Sequence, residues 1–347
     1  MYPRKLIVAL ILLPFLAVTA RADFSSALRA YDDGNYPAAL SEFQSLAAAG
    51  DPDAQSILAL MYLEGQAVQE NMATAINWYV QAAEQGQSDA QYALAIISID
   101  GAGGAARDMT TAALWMHESA RRGHMYAQFD LGNMYANGTG VVESDSNAAV
   151  WFEHAASQGH KDAQYNLGIM YLTGRGVEVD RTAALRWFES AAEQGHKDAQ
   201  YNLGVSYLTG RNGTRDPAQA QRWLQAAASQ SQSSAVVALG LLKLEGEEGI
   251  QQDPVEAARL FRQAADVGNA EGQYFLAVLF TRGLGVEQDP VEAYAWLDMA
   301  GSRAREGSDL ASSVETLRQS LTAVMTASEI SQATAVARER SLGVGTN

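Results

Sequence analysis

Residues 158–173 read QGHKDAQYNLGIMYLT and residues 194–209 read QGHKDAQYNLGVSYLT, nearly the same stretch written twice, 36 positions apart. Such a doubling marks either a duplicated active site or a repeated building unit. Self-similarity along the rest of the chain decides for the unit. Counted from the Ala of each Ala-Gln pair or its equivalent, units begin at Ala54, Ala90, Ala127, Ala163, Ala199, Ala235 and Gly272, at intervals of 36, 37, 36, 36, 36 and 37. Glycine holds the twelfth place in all of them (Gly65, Gly101, Gly138, Gly174, Gly210, Gly246, Gly283). An alanine returns further on, at Ala75, Ala112, Ala148, Ala184, Ala220, Ala257 and Ala293. Trp follows it by three residues at Trp78, Trp115, Trp151, Trp187, Trp223 and Trp296, with Leu260 standing in once.

The unit reads as two helices. Ala163, Leu167 and Met170 share one helical stripe, with Tyr171 beside it. Gly174-Arg175-Gly176-Val177 ends that helix, because glycine enters the left-handed region at no steric cost. Asp180 suits the N-cap of the second helix, and Asp216-Pro217 and Asp289-Pro290 strengthen that start elsewhere, with Pro at the first helical position. The second helix carries Ala184, Trp187, Phe188, Ala191 and Ala192 and stops at Gly195. Small residues let neighbouring helices approach while Trp and Tyr fill the space between them. One such hairpin cannot bury its apolar face alone, and a stack of them can.

This pattern resembles the Sel1-like repeat family, relatives of the tetratricopeptide repeat with a longer unit. The family signature, Ala-x-x-x-Leu-Gly-x-x-Tyr, a Gly-x-Gly-Val turn, then Ala-x-x-Trp and Ala-Ala-x-x-Gly, stands almost intact over 163–195. The departures are local: Ser98 replaces Tyr in the second unit, Arg-Asn-Gly forms the fifth turn, and the sixth has Glu-Gly-Glu-Glu-Gly and lacks Trp. The resemblance implies an all-α fold, an α-solenoid of helix-turn-helix repeats wound as a right-handed superhelix, with first helices lining a concave face where partners bind. Seven repeats are expected over 54–309. Residues 23–53 read as a tetratricopeptide-like helical cap, with Ala30-Tyr31-Asp32-Asp33-Gly34-Asn35-Tyr36 followed by Ala39, Leu40 and Phe43. Residues 310–347 read as capping helices. There, Leu310, Val314, Leu317, Leu321 and Val324 make one stripe, and Thr326-Ala-Ser-Glu329 is a capping box opening a helix to about Arg340.

The first 22 residues follow a different logic. Arg4 and Lys5 precede an apolar run from Leu6 to Val18, and Ala20-Arg21-Ala22 supplies a small-x-small site before Asp23. That is the pattern of a signal peptide cleaved after Ala22, placing the protein in the periplasm or outside the cell. The run is shorter than the roughly 20 residues a membrane span needs, so stable insertion after cleavage is not expected. Cleavage would also remove Arg4, Lys5 and Arg21, making a chain of formal charge −16 more acidic still. Such a charge argues against nucleic-acid binding, which needs clustered Lys and Arg. With no Cys in the chain, thiol catalysis and thiolate metal sites are excluded, and the fold must rest on packing alone.

The residues that invite a chemical reading recur with the repeat. Gly138-Thr-Gly140, Gly174-Arg-Gly176 and Gly283-Leu-Gly285 look like the start of a dinucleotide fingerprint, but each follows a helix rather than a strand. His124, His160 and His196 hold one place in successive units, set apart by helix diameters of roughly 8–10 Å, and so cannot meet at one metal ion. A loop-surface role or a contact with the next helix is expected of them. His117 and His154 lie on second helices without a carboxylate at ligand spacing. There is no Ser-x-x-Lys, Gly-x-Ser-x-Gly, His-Glu-x-x-His or phosphate-loop motif. No catalytic, cofactor-binding or metal site is therefore expected.

A surface remains. Places 4, 7 and 11 of each first helix share a stripe distinct from the packed one: Asp130, Asn133 and Asn137; Asn166, Ile169 and Thr173; Asn202, Val205 and Thr209. Such a stripe suits hydrogen bonding to an extended peptide, or else it satisfies neighbouring backbone, with place 7 in the core. The expectation is an exported scaffold, adaptor or regulator of the bacterial envelope that binds a protein or peptide. The alternatives are an enzyme acting on peptidoglycan or a β-lactam, and a structural spacer.

Overall fold

The computed structural model describes residues 23–101, 106–210, 215–247 and 249–343. The expected leader and the Arg211-Asn212-Gly213 turn lie outside the described residues. Residues 23–32 form α1. It is followed by α2 (Tyr36–Ala48), α3 (Pro52–Glu64), α4 (Met72–Glu84), α5 (Ser88–Asp100), α6 (Met109–Arg121), α7 (Met125–Asn137), α8 (Asp145–Ser157) and α9 (Lys161–Thr173). The chain continues through α10 (Arg181–Glu193), α11 (Lys197–Thr209), α12 (Pro217–Ser229), α13 (Ser233–Glu245), α14 (Pro254–Asp266), α15 (Ala270–Arg282), α16 (Pro290–Arg303), α17 (Asp309–Thr322) and α18 (Ala327–Gly343). The fold is all-α, an α-solenoid of paired helices. Odd-numbered helices from α3 to α15 are the first helices of the repeats and even-numbered ones the second. Among the described residues the only β-type pairing is an isolated bridge, Glu247 to Ile250, in the irregular sixth turn.

Local chemistry sets the helix ends. Gly65, Gly101, Gly138 and Gly283 are left-handed C-caps of first helices. Asp180 Oδ1 accepts from the N–H groups of Thr182 and Ala183, and Asp216 and Asp289 cap α12 and α16 with Pro at the first helical position.

Two compact units divide the chain: residues up to Ala163 with Thr173–Val179, and Gln164–Leu172 with Asp180 onward. In the first, apolar side chains form successive clusters rather than one core. Trp78 packs against the cluster of Phe43, Leu58 and Met61 and against that of Tyr79, Ala82 and Leu94, and so joins two layers. Trp115 likewise joins the latter cluster to that of Met116, Leu131 and Met134. This nearest-neighbour burial is what a repeat array requires.

Glycine at place 6 allows first and second helices to close. A Cβ on Gly132 would lie 2.7 Å from the ring of Phe152 in the first unit, and one on Gly168 would lie 2.7 Å from Phe188 in the second. The second glycine of the turn has a different task. Gly176, at φ +72°, sits against the backbone of Asp145 at the start of α8, and Gly140 sits in the same way against Met109 at the start of α6. Any side chain there would strike a carbonyl. The paired glycines are thus packing joints, and Arg175 between them bonds to Asp145 at 2.7 Å.

In the second unit, Thr326 and Glu329 close a capping box, with Thr326 N–H donating to Glu329 Oε2 at 2.7 Å and Glu329 N–H to Thr326 Oγ1 at 3.3 Å. Val314 and Leu321 are buried on α17, whereas Val324, expected on the same stripe, lies past the helix end and is exposed. Arg340 returns from α18 to bond both carboxylate oxygens of Glu292 and to lie 4.6 Å above the ring of Trp296.

Candidate partner-binding face

The stretches that looked chemical in the sequence are joints between repeats. His124, His160 and His196 cap first helices: each Nδ1 accepts the N–H of the place-1 alanine, at 3.0, 3.3 and 3.2 Å. Each ring also stacks on the place-3 aromatic of the preceding repeat, Tyr92, Phe129 and Tyr165, with centroids 4.6, 4.3 and 4.4 Å apart. Residue type conceals this capping role, but the acceptor chemistry at that place announces it. The same place holds Asp51, Gln87, Gln232 and Asn269, and all of these accept an N–H through the side chain as the histidines do. Burial pushes the His160 imidazole below its usual pKa, and His124 beside Asp89 helps to hold that carboxyl below its usual range.

The glutamine at place 2 marks the start of a helix in the sequence, and the structure gives it a second task. It is buried, and in Gln55, Gln128 and Gln200 both ends of the amide are used, whereas Oε1 of Gln91 and of Gln273 has no hydrogen-bond partner among the described residues. Gln128 donates to the carbonyl of Ala120 at 3.1 Å and accepts from Gln158 at 2.6 Å in the first unit. In the second, Gln200 donates to Ala192 at 3.0 Å and accepts from Gln230 at 2.9 Å. A buried amide bonded at both ends ties helix end to helix start without leaving an orphan group.

The nine stripe residues separate by place. At place 4, Asp130 accepts the hydroxyl of Tyr92 at 2.9 Å, and burial pushes its carboxyl up while raising Tyr92 as well. Asn202 bonds to the hydroxyl of Tyr165. These two side chains are therefore engaged by the preceding repeat. The amide of Asn166 has no side-chain partner among the described residues. At place 7, Asn133, Ile169 and Val205 are half-buried, and Ile169 packs against the cluster of Phe188 and Leu203. At place 11, Asn137, Thr173 and Thr209 are exposed; Thr209 donates to the carbonyl of Val205 at 2.9 Å, back along its own helix.

In the second unit Asn202 and Val205 line a cavity of about 210 Å³ with Leu172, Arg181, Ala184, Leu185, Phe188 and Ser206. Its lining is apolar at Leu172, Ala184, Leu185, Phe188 and Val205, polar at Asn202 and Ser206, and carries Arg181 as its one cation. Arg181 is exposed, has no carboxylate partner among the described residues, and opens α10, where a positive charge is disfavoured by the helix dipole by about 0.3–1 kcal/mol. The equivalent residues elsewhere are Met72, Met109, Asp145, Pro217, Pro254 and Pro290, so Arg181 stands out only once the repeats are aligned.

The Sel1 repeat family model matches residues 52–87, 88–124, 126–160, 161–196, 197–232, 233–269 and 270–304. No curated protein sequence matches the chain. Among solved structures, it is similar to a Sel1 repeat protein from Oxalobacter formigenes, with 32% identity, a TM-score of 0.58 and 86% of each chain covered. It is also similar to a protective antigen present in uropathogenic Escherichia coli strains that displays an SLR fold. That match has 26% identity and a TM-score of 0.63, covering 92% of this chain and 84% of the other. With seven matched segments spanning most of its length, and the helix pairs, turn glycines and inter-repeat joints to go with them, the chain belongs to the Sel1 repeat family.

Proposed function

We infer that this Sel1 repeat protein is a non-catalytic scaffold or adaptor of the bacterial cell envelope, holding an extended segment of a partner protein against its first helices. The observation that carries the reading is the cavity formed by Val205, Leu185 and Phe188 with Arg181 at its rim. Its roughly 210 Å³ is below the range of about 300–1,000 Å³ usual for a small-molecule site and suits one apolar side chain of a longer ligand. An unpaired arginine beside it suits a carboxylate or backbone carbonyl of the same segment. The Arg4-to-Ala22 leader pattern supports the envelope location.

Photo-crosslinking tests the reading. A benzophenone side chain at Val205 or Asn166 should capture one defined partner in cells, and the same group at Arg186, on the outer side of α10, should not. Equal capture from both positions, or none from either, overturns the assignment. Mass spectrometry of the cell-extracted protein should give an N-terminus at Asp23; an intact Met1 overturns the export reading.

A further inference from the structure

The last repeat holds a second cavity, of different chemistry. It measures about 340 Å³ and lies between α15 and α17, lined by Tyr274, Val278, Thr281, Arg282 and, from α17, Ser312, Ser313, Thr316, Leu317 and Ser320. It exists because α17 takes the position of a further first helix without its residues. Ser308 caps it through the N–H of Ala311, as the histidines cap place-1 alanines, but the place-4 position then falls on Val314. Where Tyr92 and Tyr165 find Asp130 and Asn202, Tyr274 at the same place of the last repeat meets no polar counterpart. Its hydroxyl, the hydroxyl of Ser313 and the guanidinium of Arg282 have no hydrogen-bond partner among the described residues.

The direction of the other hydrogen bonds selects the ligand. Thr281, Ser312, Thr316 and Ser320 donate their hydroxyl hydrogens to the carbonyls of Ala277, Ser308, Ser312 and Thr316, at 2.8, 3.2, 2.9 and 3.1 Å. Each keeps only lone pairs for a visitor. The wall therefore offers acceptors at these four hydroxyls, donors at Arg282 and at the free hydroxyls of Tyr274 and Ser313, and apolar patches at Val278 and Leu317. Sulfate brings no donor and inorganic phosphate only one or two O–H groups, fewer than the four hydroxyl oxygens that offer lone pairs. A free amino acid brings an ammonium group, and no Asp or Glu lines the cavity to balance it. A ligand rich in hydroxyl donors that also bears one carboxylate answers every group. We propose that this cavity binds a sugar acid, a monosaccharide unit of the uronic-acid type, with its carboxylate on Arg282, its hydroxyls on the serine and threonine oxygens and a C–H face on Tyr274 and Val278. The chain's net charge of −16 does not forbid an anion there, because repulsion from distant acids is screened beyond about 8 Å at physiological ionic strength.

Calorimetric titration of the folded full chain with glucuronate tests this, with glucose, inorganic phosphate and alanine as comparison ligands. Glucuronate should bind with one site per chain, and the three comparison ligands at least about tenfold more weakly, as expected for losing a charge-assisted bond or the hydroxyl set. Arg282→Gln and the double variant Ser313→Val, Thr316→Val should each weaken glucuronate by about tenfold while circular dichroism and Tm stay unchanged. No saturable glucuronate binding, phosphate binding as tight, or binding indifferent to Arg282→Gln overturns the proposal. If either variant fails to fold, chemical-shift perturbation by glucuronate on the wild-type chain decides: shifts at Tyr274, Arg282 and Ser313 support the site, and shifts confined elsewhere overturn it.

Discussion

The imidazole of His160 lies stacked on Phe129, ring centroids 4.3 Å apart and planes 18° from parallel, while its Nδ1 accepts the N–H of Ala163 at 3.3 Å. One side chain thus serves as the floor of one repeat and the first hydrogen bond of the next. The bond exists only while Nδ1 carries no proton, and this makes the joint sensitive to pH.

Burial lowers the His160 pKa, with Asp162 and Asp130 opposing and Lys161 assisting. A histidine depressed in the folded state stabilises fully above its unfolded value of about 6.5, and that contribution is lost as pH falls through the folded pKa. Asp130, raised by burial, acts in the opposite sense but in the carboxylate range, at lower pH. Thermal unfolding should therefore show Tm falling from pH 7.5 to about 5.5. The variant His160→Asn, which copies the cap made by Asn269, should flatten that slope. Each lost cap is expected to cost about 1 kcal/mol. An unchanged slope in the variant rejects the mechanism.

Gly176→Ala should destabilise by about 3 kcal/mol, combining a left-handed φ of +72° with a contact against the Asp145 backbone, which cannot swing aside. Gly159→Ala, at φ +97° with open space around the added carbon, should cost only the conformational part, about 1–2 kcal/mol. Chemical denaturation of the two variants measures the difference, and equal losses would show that the close approach is not what the turn glycine serves.

Gly168→Ala should cost about 1–3 kcal/mol by pressing on Phe188. The second repeat pairs Ala95 with Met116 in one cluster at the corresponding places. Adding Phe188→Met to Gly168→Ala should then recover part of the loss, with a coupling of about 1 kcal/mol in a double-mutant cycle. Strict additivity would contradict direct contact.

Arg340→Ala should free α18 by removing two bonds to Glu292 and the contact with Trp296. Hydrogen exchange should rise across α18 and Trp296 emission should shift, with about 1–3 kcal/mol lost. Arg340→Lys should behave nearly as badly, since a point charge cannot bond both oxygens and cover the ring. Full function of the lysine variant in these readouts would show that charge alone holds the helix.

Much of this was legible along the chain because it is local. The glycine after Thr173, the aspartate at Asp180 and the Thr326–Glu329 pair declare helix ends through contacts within a few residues. The histidine caps are legible too, in the acceptor chemistry that place shares across repeats with Asp51, Gln87, Gln232 and Asn269. The buried glutamines were harder to read, since Gln128 finds Gln158 thirty residues away.

The sequence by itself determined the period, the helix pairs, their ends and the Sel1 repeat assignment, because each follows from spacing and short-range sterics. Only the tertiary structure decided which polar side chains are still available. Asp130 is taken by a tyrosine 38 residues earlier, while the amide of Asn166 has no side-chain partner among the described residues. The cavities at Val205 and Tyr274 likewise depend on how neighbouring helices meet. Hydrogen-bond partners brought together by packing leave no mark in local spacing, so the division between joint and binding face could be drawn only in three dimensions.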